Sequence, residues 1–334
     1  MAPPVLTSVV PTTGPAAGTN PVTLNGSQFT GATAVTFGSA AALSHTVNTP
    51  STITATVPPG TGTVNVTVRT PAGLSNTVAY SYAPTPSLSA VSPNQGPTSG
   101  GTGVVLIGTG LTGATAVTFG SIPATSYTVN SATQITAVTP AGTGAVAVTA
   151  TTVGGTSGPL FFYYLNAPSL LSVSPAGGPA SGGTGVVLIG TGLTGATAVT
   201  FGSIPATSYT VNSATQITAV TPPGTGSVGC TVTGPGGTSN AVSYTYLAAP
   251  VLTALSPAQG PTDAGTAVTL TGTGLTTTFA VHFGTAPAAF TVVSDMTAIA
   301  IAPAGPAGSA QVNVTTSGGT SNSLAYQRVA PPAI

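Results

Sequence analysis

The chain has 334 residues, of which only 1% are charged, and its formal net charge is zero. Without clusters of Lys and Arg, it lacks the charge needed to bind nucleic-acid phosphates or to be recruited electrostatically to anionic membranes. Glycine (45 residues) and proline (31 residues) are abundant and a single cysteine excludes an intrachain disulfide, so the composition favours strands separated by turns.

An 82-residue repeat organises the whole chain. One phenylalanine recurs at this interval, as Phe37, Phe119, Phe201 and Phe283. Residues 99–140 are identical to residues 181–222, which indicates internal duplication. The repeat predicts four domains followed by a tail in phase with the start of a further copy, with the boundaries 1–83, 84–165, 166–247, 248–328 and 329–334. Such arrays provide length and surface rather than one catalytic pocket.

The start of the chain has neither the basic region nor the apolar core of a signal peptide. It is compatible with a processed form given a start methionine, or with a protein released without a cleaved signal. The most apolar cluster, residues 160–165, is too short to cross a bilayer, so we expect no membrane insertion.

The second repeat shows the predicted elements most clearly. Alternating apolar and polar residues predict seven short strands, at 88–91, 104–107, 115–120, 127–129, 134–138, 145–150 and a last strand through Phe161 and Tyr163. Residues 94–101 are rich in glycine and proline and predict a loop. Within the third strand, Val117 and Phe119 should point inward together. Short strands with frequent turn signals predict an antiparallel β-sandwich.

Each repeat also carries short motifs in a fixed order. These are G-P, G-T-x-V-x-L-x-G, V-T-F-G, T-x-I-T, G-T-G-x-V-x-V-x-V, G-G-x-S-N and a closing aromatic pair, with small variations between copies. They resemble the IPT/TIG domain, an immunoglobulin-like sandwich of bacterial surface proteins, receptor ectodomains and some carbohydrate-active enzymes. The resemblance covers essentially the whole chain and implies an all-β, rod-like array of four immunoglobulin-like sandwich domains. It implies no catalytic residues, and the basic loops of the DNA-binding members are missing here.

Residues that could support catalysis or bind a metal are few and scattered. His45 occupies a position filled by tyrosine in sister repeats and is predicted to lie on a strand, and His282 is predicted to face solvent or a contact. Asp263 and Asp295 share one repeat, where two solvated turn residues are favoured over the alternative of a paired-carboxylate hydrolase. Cys230 replaces a core valine. We therefore predict no catalytic residue, no metal site and no cofactor.

The recurrent aromatic residues of the last strand are the remaining candidates for a site. Alternation places each pair on one face, and the tyrosines involved are Tyr80, Tyr82, Tyr164, Tyr244 and Tyr246. We predict that they fill the core and pack between domains. The alternative is a sugar-stacking platform, against which the absence of tryptophan counts.

The linkers and the tail suggest a mode of assembly. Linkers such as residues 83–86 and 247–250 are short and contain proline, which predicts semi-rigid connections. We hypothesise that the tail packs against the first repeat of the next molecule, which would give an open, head-to-tail fibre. The residues concerned are Val5, Leu6, Ala330, Pro331, Pro332, Ala333 and Ile334. Edge strands without Lys or Glu would also permit lateral pairing.

These observations predict a non-enzymatic structural protein, a self-assembling subunit of an extracellular or cell-surface filament whose main partner is itself. The alternative is a surface stalk or adhesive module that recognises a glycan or a protein. A component of a virion or a secretion machine is a third reading, which would account for the lack of a signal peptide.

Overall fold

A computed structural model describes residues 2–330, and all of their regular elements are β-strands. In the first repeat the strands are Val5–Val10 (β1), Thr13–Pro15 (β2), Pro21–Ser27 (β3), Ala34–Phe37 (β4), Ala40–Ala41 (β5), Ser44–Thr49 (β6), Thr52–Thr56 (β7), Gly62–Thr70 (β8), Gly73–Leu74 (β9) and Val78–Ala83 (β10). In the second they are Ser87–Ser92 (β11), Gln95–Pro97 (β12), Gly103–Thr109 (β13), Ala116–Phe119 (β14), Ile122–Pro123 (β15), Ser126–Ser131 (β16), Gln134–Val138 (β17), Gly144–Thr152 (β18), Gly155–Thr156 (β19) and Leu160–Leu165 (β20).

The other two repeats contain the same ten strands. In the third they are Ser169–Ser174 (β21), Gly177–Pro179 (β22), Gly185–Thr191 (β23), Ala198–Phe201 (β24), Ile204–Pro205 (β25), Ser208–Ser213 (β26), Gln216–Val220 (β27), Gly226–Gly234 (β28), Gly237–Thr238 (β29) and Val242–Leu247 (β30). In the fourth they are Val251–Ser256 (β31), Gln259–Pro261 (β32), Ala267–Thr273 (β33), Thr278–Phe283 (β34), Ala286–Pro287 (β35), Phe290–Ser294 (β36), Thr297–Ile301 (β37), Gly308–Thr316 (β38), Gly319–Thr320 (β39) and Leu324–Val329 (β40).

Each repeat folds into two facing sheets, as the sequence predicted. In the first repeat, one sheet has the order β1-β3-β7-β6 and the other has the order β2-β10-β8-β4-β5, with β9 paired to β8. The later repeats have the same order. We call the first, second, sixth and tenth strands of a repeat A, A′, D and G. All pairs are antiparallel except A′ with G, where Gly96 lies opposite Tyr164 in the second repeat. A and A′ thus join different sheets.

Aromatic rings from the fourth and tenth strands, which belong to the same sheet, form the centre of the core in each domain. Val117 and Phe119 are 1% and 2% exposed, which confirms their predicted inward orientation. The repeated phenylalanine packs edge-to-face on a ring of strand G, with centroid distances of 5.3 Å for Phe37–Tyr80 and 5.6 Å for Phe119–Phe162. Such pairs stabilise a core beyond the area that they bury.

A glycine allows the close approach of two loops in three of the repeats. Gly18, Gly100 and Gly182 have φ values of 70°, 75° and 73°, a conformation that side chains rarely adopt. A Cβ atom there would lie 2.5, 2.4 and 2.5 Å from the carbonyl carbon of a facing proline. The loop between A′ and the third strand therefore packs against the backbone that follows the seventh strand.

An asparagine side chain holds strand A in three of the four repeats. Asn76 accepts a hydrogen bond from the Leu6 amide (2.9 Å) and donates one to the Leu6 carbonyl (2.8 Å). Asn240 with Leu170, and Asn322 with Leu252, make the same pair of bonds. We call this arrangement the asparagine clamp. It fastens strand A to the segment that precedes strand G.

The chain divides by its contacts into two compact units, with the boundary between residues 165 and 166. Within each unit, the linker is packed against the second domain. In the first unit Thr85 Oγ1 donates to the Gly154 carbonyl at 3.3 Å, and a Cβ on Gly154 would lie 2.0 Å from the Pro84 oxygen. In the second unit Gly318 lies in the same way against Ala248. These glycines let the linker approach closely, so these two linkers are held by contacts.

Candidate functional site

The five tyrosines singled out by the sequence lie in the cores of their own domains. Their exposed fractions do not exceed 6%, for Tyr80, Tyr82, Tyr164, Tyr244 and Tyr246. Tyr82 and Tyr164 donate hydrogen bonds to the carbonyls of Pro58 (2.9 Å) and Pro140 (2.7 Å). Burial raises the pKa of Tyr82 and Tyr164 above the ordinary value. Because their ring faces are covered within one domain, these tyrosines fill cores and are not available to a ligand or a neighbouring domain.

The described residues of the hypothetical head-to-tail contact differ in their exposure. Leu6 is 1% exposed and belongs to the core of the first domain, so its side chain cannot reach another molecule while that domain is folded. Val5 is 47% exposed and pairs with Ser27. Ala330 is exposed directly after strand β40, and Pro331, Pro332, Ala333 and Ile334 lie outside the described residues. The head-to-tail contact stays a prediction that depends on Val5 and the tail.

The dispersed titratable residues do not converge. Asp295 accepts hydrogen bonds from Thr276 Oγ1 (2.8 Å) and the Gly274 amide (3.2 Å), and these bonds lower its pKa. Asp263 is exposed in a bend. Burial raises the pKa of the Cys230 thiol, which is fully buried, to about 12. Among residues 2–330, no three His, Cys, Asp or Glu side chains lie close enough to hold a metal ion.

Both histidines lie on strands. His45, on β6, is half-buried and places Nε2 3.4 Å from the carbonyl oxygen of Ala32. His282, on β34, is half-buried on the face opposite Phe283 and lies across from Asn313. Each histidine therefore occupies the kind of position that the comparison of repeats predicted.

An outward-facing aromatic pair in the second repeat did not emerge from the sequence as a candidate site. Phe161 and Tyr163 on strand β20 are 52% and 45% exposed, while Phe162 and Tyr164, which alternate with them, point into the core. At the equivalent positions the other repeats carry small or polar residues, namely Ala79 and Ser81, Ser243 and Thr245, and Ala325 and Gln327. The pair is thus an addition to a shared scaffold.

The outward-facing pair lines a groove between strands A and G of the second repeat. The groove has a volume of about 330 Å³, and Ser89, Val91, Asn94 and Leu160 also line it. The Tyr163 amide donates to the Asn94 carbonyl at 2.9 Å, which fixes the backbone beneath the rings. The side chain of Asn94 is exposed, and the Ser89 hydroxyl donates to the Ile107 carbonyl at 3.2 Å. Polar and apolar groups therefore line this groove in similar measure.

Unlike the outward-facing pair, the edge formed by strand D is a surface feature that recurs in every repeat. Strand A is interrupted by a bulge after two residues, between Leu88 and Ala90 in the second repeat. The edge strands of the other sheet have only three and two residues, as in β12 and β15. Strand D has five or six residues, its sequences are SHTVNT, SYTVNS, SYTVNS and FTVVS, and none of them contains Lys, Arg, Asp, Glu or Pro. Strand D also contains a bulge, but four residues precede it in the first three repeats and three in the fourth, as residues 126–129 do in the second. In the first three repeats strand D therefore offers the longest regular edge among the described edge strands, and the one least protected against pairing with another strand.

The fold and these surfaces define a tandem array of immunoglobulin-like β-sandwich domains. The model of the IPT/TIG domain matches residues 4–82, 86–164, 168–246 and 250–327. The chain therefore belongs to the IPT/TIG domain family, as its motifs predicted. No curated protein sequence shows significant similarity to it.

Several solved structures are similar to the chain at low sequence identity. The full extracellular region of plexin A4 is 17% identical, with a TM-score of 0.37 over 94% of this chain and 36% of that one. Invasin, a bacterial integrin-binding protein, is 16% identical, with a TM-score of 0.32 over 98% of this chain and 79% of that one. SGBP-B from a complex xyloglucan utilization locus in Bacteroides uniformis is 21% identical, with a TM-score of 0.23 over 48% of this chain and 49% of that one. The chain thus spans about a third of the plexin structure. Across residues 2–330, the structure has no helix that is long and apolar enough to cross a membrane.

Proposed function

We propose that the chain is a non-enzymatic structural protein that self-assembles as a subunit of an extracellular or cell-surface filament. The observation that carries this proposal is the uncharged edge strand D, which recurs in all four domains. The extracellular or surface location rests on the occurrence of the IPT/TIG domain in bacterial surface proteins and receptor ectodomains.

The hydrogen-bonding groups on the free side of strand D are what a neighbouring molecule would use. In the second repeat β16 pairs with β17 on one side and has no strand on the other within the described residues. A second copy could add its own strand D there and extend the sheet across the contact. Long-range repulsion would not oppose this approach, because the chain has two basic and two acidic residues. Four such edges per chain make the contact multivalent.

The proposal predicts that a charge at the centre of strand D abolishes assembly. Lysines would replace the exposed central threonines of the four D strands, as Thr46→Lys, Thr128→Lys, Thr210→Lys and Thr291→Lys in one chain. Pairing two such edges would bring like charges together and desolvate them. Electron microscopy over a concentration series at physiological salt should show fibres with a regular repeat for the native chain and separate molecules for the variant.

A matched control places the same four charges beside the edge but off it. The four lysines are placed in the exposed turn that follows each D strand, as Ser51→Lys, Thr133→Lys, Thr215→Lys and Met296→Lys. This control should still form fibres, because net charge alone does not prevent pairing. Separate molecules for the native chain at every concentration would refute self-assembly, and fibres from the strand D variant would refute the edge as the contact.

A second candidate function is a surface stalk or adhesive module that recognises a glycan or a protein. The outward-facing pair of the second repeat favours it, because an exposed aromatic pair that occurs in only one copy is not needed for a contact that all repeats share. A chain that acts only as such a module would remain monomeric without ligand, so the same microscopy separates this function alone from filament assembly.

A further inference from the structure

We propose that the second repeat binds a neutral carbohydrate chain on Phe161 and Tyr163. This inference rests on the second candidate function, the binding module, and gives its site and the chemical class of its ligand. It does not require self-assembly, and the filament proposal does not require it.

The two rings form a platform on a rigid support. They lie two positions apart on one strand, which sets their spacing at roughly 7 Å along the strand direction. Strand β20 is paired with β18 over Leu160–Tyr164 and with A′ over Tyr163–Leu165, so its backbone is held on both sides beneath Tyr163. Phe162 and Tyr164, which are 0% and 5% exposed, anchor the same strand in the core. Little ordering of the backbone beneath the two rings is therefore left for a ligand to impose.

The chemistry of the groove matches a sugar ring. A pyranose has a face of C–H groups, which packs on an aromatic ring, and a rim of hydroxyls, which seek hydrogen bonds. Phe161 and Tyr163 offer the rings, with the Tyr163 hydroxyl at the end of one of them. The exposed Asn94 amide can donate and accept, and the Ser89 oxygen can accept, at the edge of the groove. Sites for small neutral ligands combine an apolar lining with a few such polar groups.

The absence of charged residues in the second repeat favours a neutral ligand over a charged one. Residues 84–165 contain no Asp, Glu, Lys, Arg or His. A charged ligand would lose hydration in this groove without gaining an ionic partner, which is unfavourable. The groove therefore favours a neutral glycan over an acidic polysaccharide or a charged peptide.

A second copy of the chain is a less suitable occupant. The proposed contact through strand D recurs from repeat to repeat, whereas the third repeat, with residues 181–222 identical to 99–140, carries Ser243 and Thr245 in place of the two aromatics. The third repeat thus has the same scaffold as the second but lacks the platform. Its Ser243 and Thr245 show which residues can replace the two aromatics on this strand.

The test replaces the platform by the residues of the third repeat, as Phe161→Ser with Tyr163→Thr in the full chain. Affinity electrophoresis would use native gels that contain a neutral glucan, a neutral xyloglucan or a neutral mannan, with polygalacturonate as the charged comparison. We expect at least one neutral polysaccharide to retard the native chain, polygalacturonate not to, and the variant to lose affinity at least tenfold. Circular dichroism would confirm that the variant is folded.

A reciprocal variant carries the platform to the third repeat, as Ser243→Phe with Thr245→Tyr in the platform-free chain. We expect it to recover part of the retardation. The proposal is overturned if no neutral polysaccharide retards the native chain, or if the platform-free chain is retarded equally. Microscopy of the same samples distinguishes a role of the pair in glycan binding from a role in assembly. Loss of fibres in the platform-free chain would assign the pair to contacts between copies and also overturn the proposal. Retained fibres with lost retardation would leave both proposals standing.

Discussion

Single residues distinguish otherwise similar domains, and Arg328 is the clearest case. It lies opposite Gly308 in the fourth repeat, as Tyr82 lies opposite Gly62 in the first. Its Nη2 donates to the Pro303 carbonyl at 3.1 Å and so replaces the tyrosine hydroxyl bond. The side chain is 7% exposed, and its Nε has no hydrogen-bond partner among the described residues. A buried cation in this position costs stability that a tyrosine would not.

Arg328→Tyr should therefore stabilise the fourth domain by about 1–3 kcal/mol, because it removes a poorly satisfied buried charge. The tyrosine would recover the hydroxyl bond to the carbonyl that Tyr164 makes with Pro140 at 2.7 Å. Differential scanning calorimetry of the full chain would show the transition of that domain at a higher temperature. The reverse change in the second repeat, Tyr164→Arg, should lower the transition of its domain, and an unchanged or lowered transition for Arg328→Tyr would contradict the argument.

At the scale of the strand, the asparagine clamp explains a difference between the repeats. The second repeat has Gly158 where the others have asparagine, and its strand A lacks both side-chain bonds. The leucine that the clamp fixes elsewhere, Leu6, is 1% exposed, whereas its equivalent Leu88 is half-buried. Strand A of the second domain is thus held less firmly, next to the groove that the outward-facing pair lines.

Removing the clamp by Asn240→Gly should destabilise the third domain by about 1–3 kcal/mol, because two hydrogen bonds to strand A are lost. Installing it by Gly158→Asn should stabilise the second domain, since a Cβ atom at this position meets no other atom within 4 Å. Chemical denaturation of each full-length variant, compared with the native chain, measures both effects. Equal stabilities for the native chain and both variants would show that the clamp does not hold the strand.

The strands also show what the sequence could and could not predict. The seven strands with clear alternation were found, and Gln134–Val138 matches its predicted bounds. The three others, such as Gln95–Pro97, were missed because two or three residues carry no periodicity and their partners are distant in sequence. The residues 160–165 alternate between two sets that are both apolar, so hydropathy alone could not tell the core side from the platform. The third repeat carries the polar residues Ser243 and Thr245 at the positions of Phe161 and Tyr163, which identifies this side of the strand as the outer one.

For the whole molecule, the scarcity of ionisable groups makes burial the main source of pH dependence. Burial raises the pKa of the Cys230 thiol from 9.0 to about 12, and it raises the pKa of Tyr80, Tyr82, Tyr164 and Tyr246 above 10.0. At neutral pH these groups hold their protons in both the folded and the unfolded chain, and the unfolded thiol begins to lose its proton as the pH approaches 9. Above it, the unfolded chain releases protons first, so stability falls as pH rises.

We expect the thiol to cost the third domain about 2 kcal/mol between pH 7 and pH 10.5. Thermal unfolding at pH 7, 9 and 10.5 would reveal the loss. Cys230→Val introduces the residue found at the same position in the other repeats, such as Val148, and should weaken the pH dependence without removing the part due to the tyrosines. Identical slopes for the native chain and this variant would exclude the thiol as the cause.

The parallel pairing of A′ with G has a mechanical consequence. The chain enters each domain through A and A′ and leaves it through G, and these last two strands run in the same direction, as Gly96 and Tyr164 show. Suppose that a force pulls on the two ends of a domain and that strand A has detached. The force then pulls A′ and G in opposite directions along their length. Their hydrogen bonds are loaded together in shear instead of opening one after another. Strand A′, whose three residues show no periodicity in the sequence, would therefore carry the load when the chain is under tension.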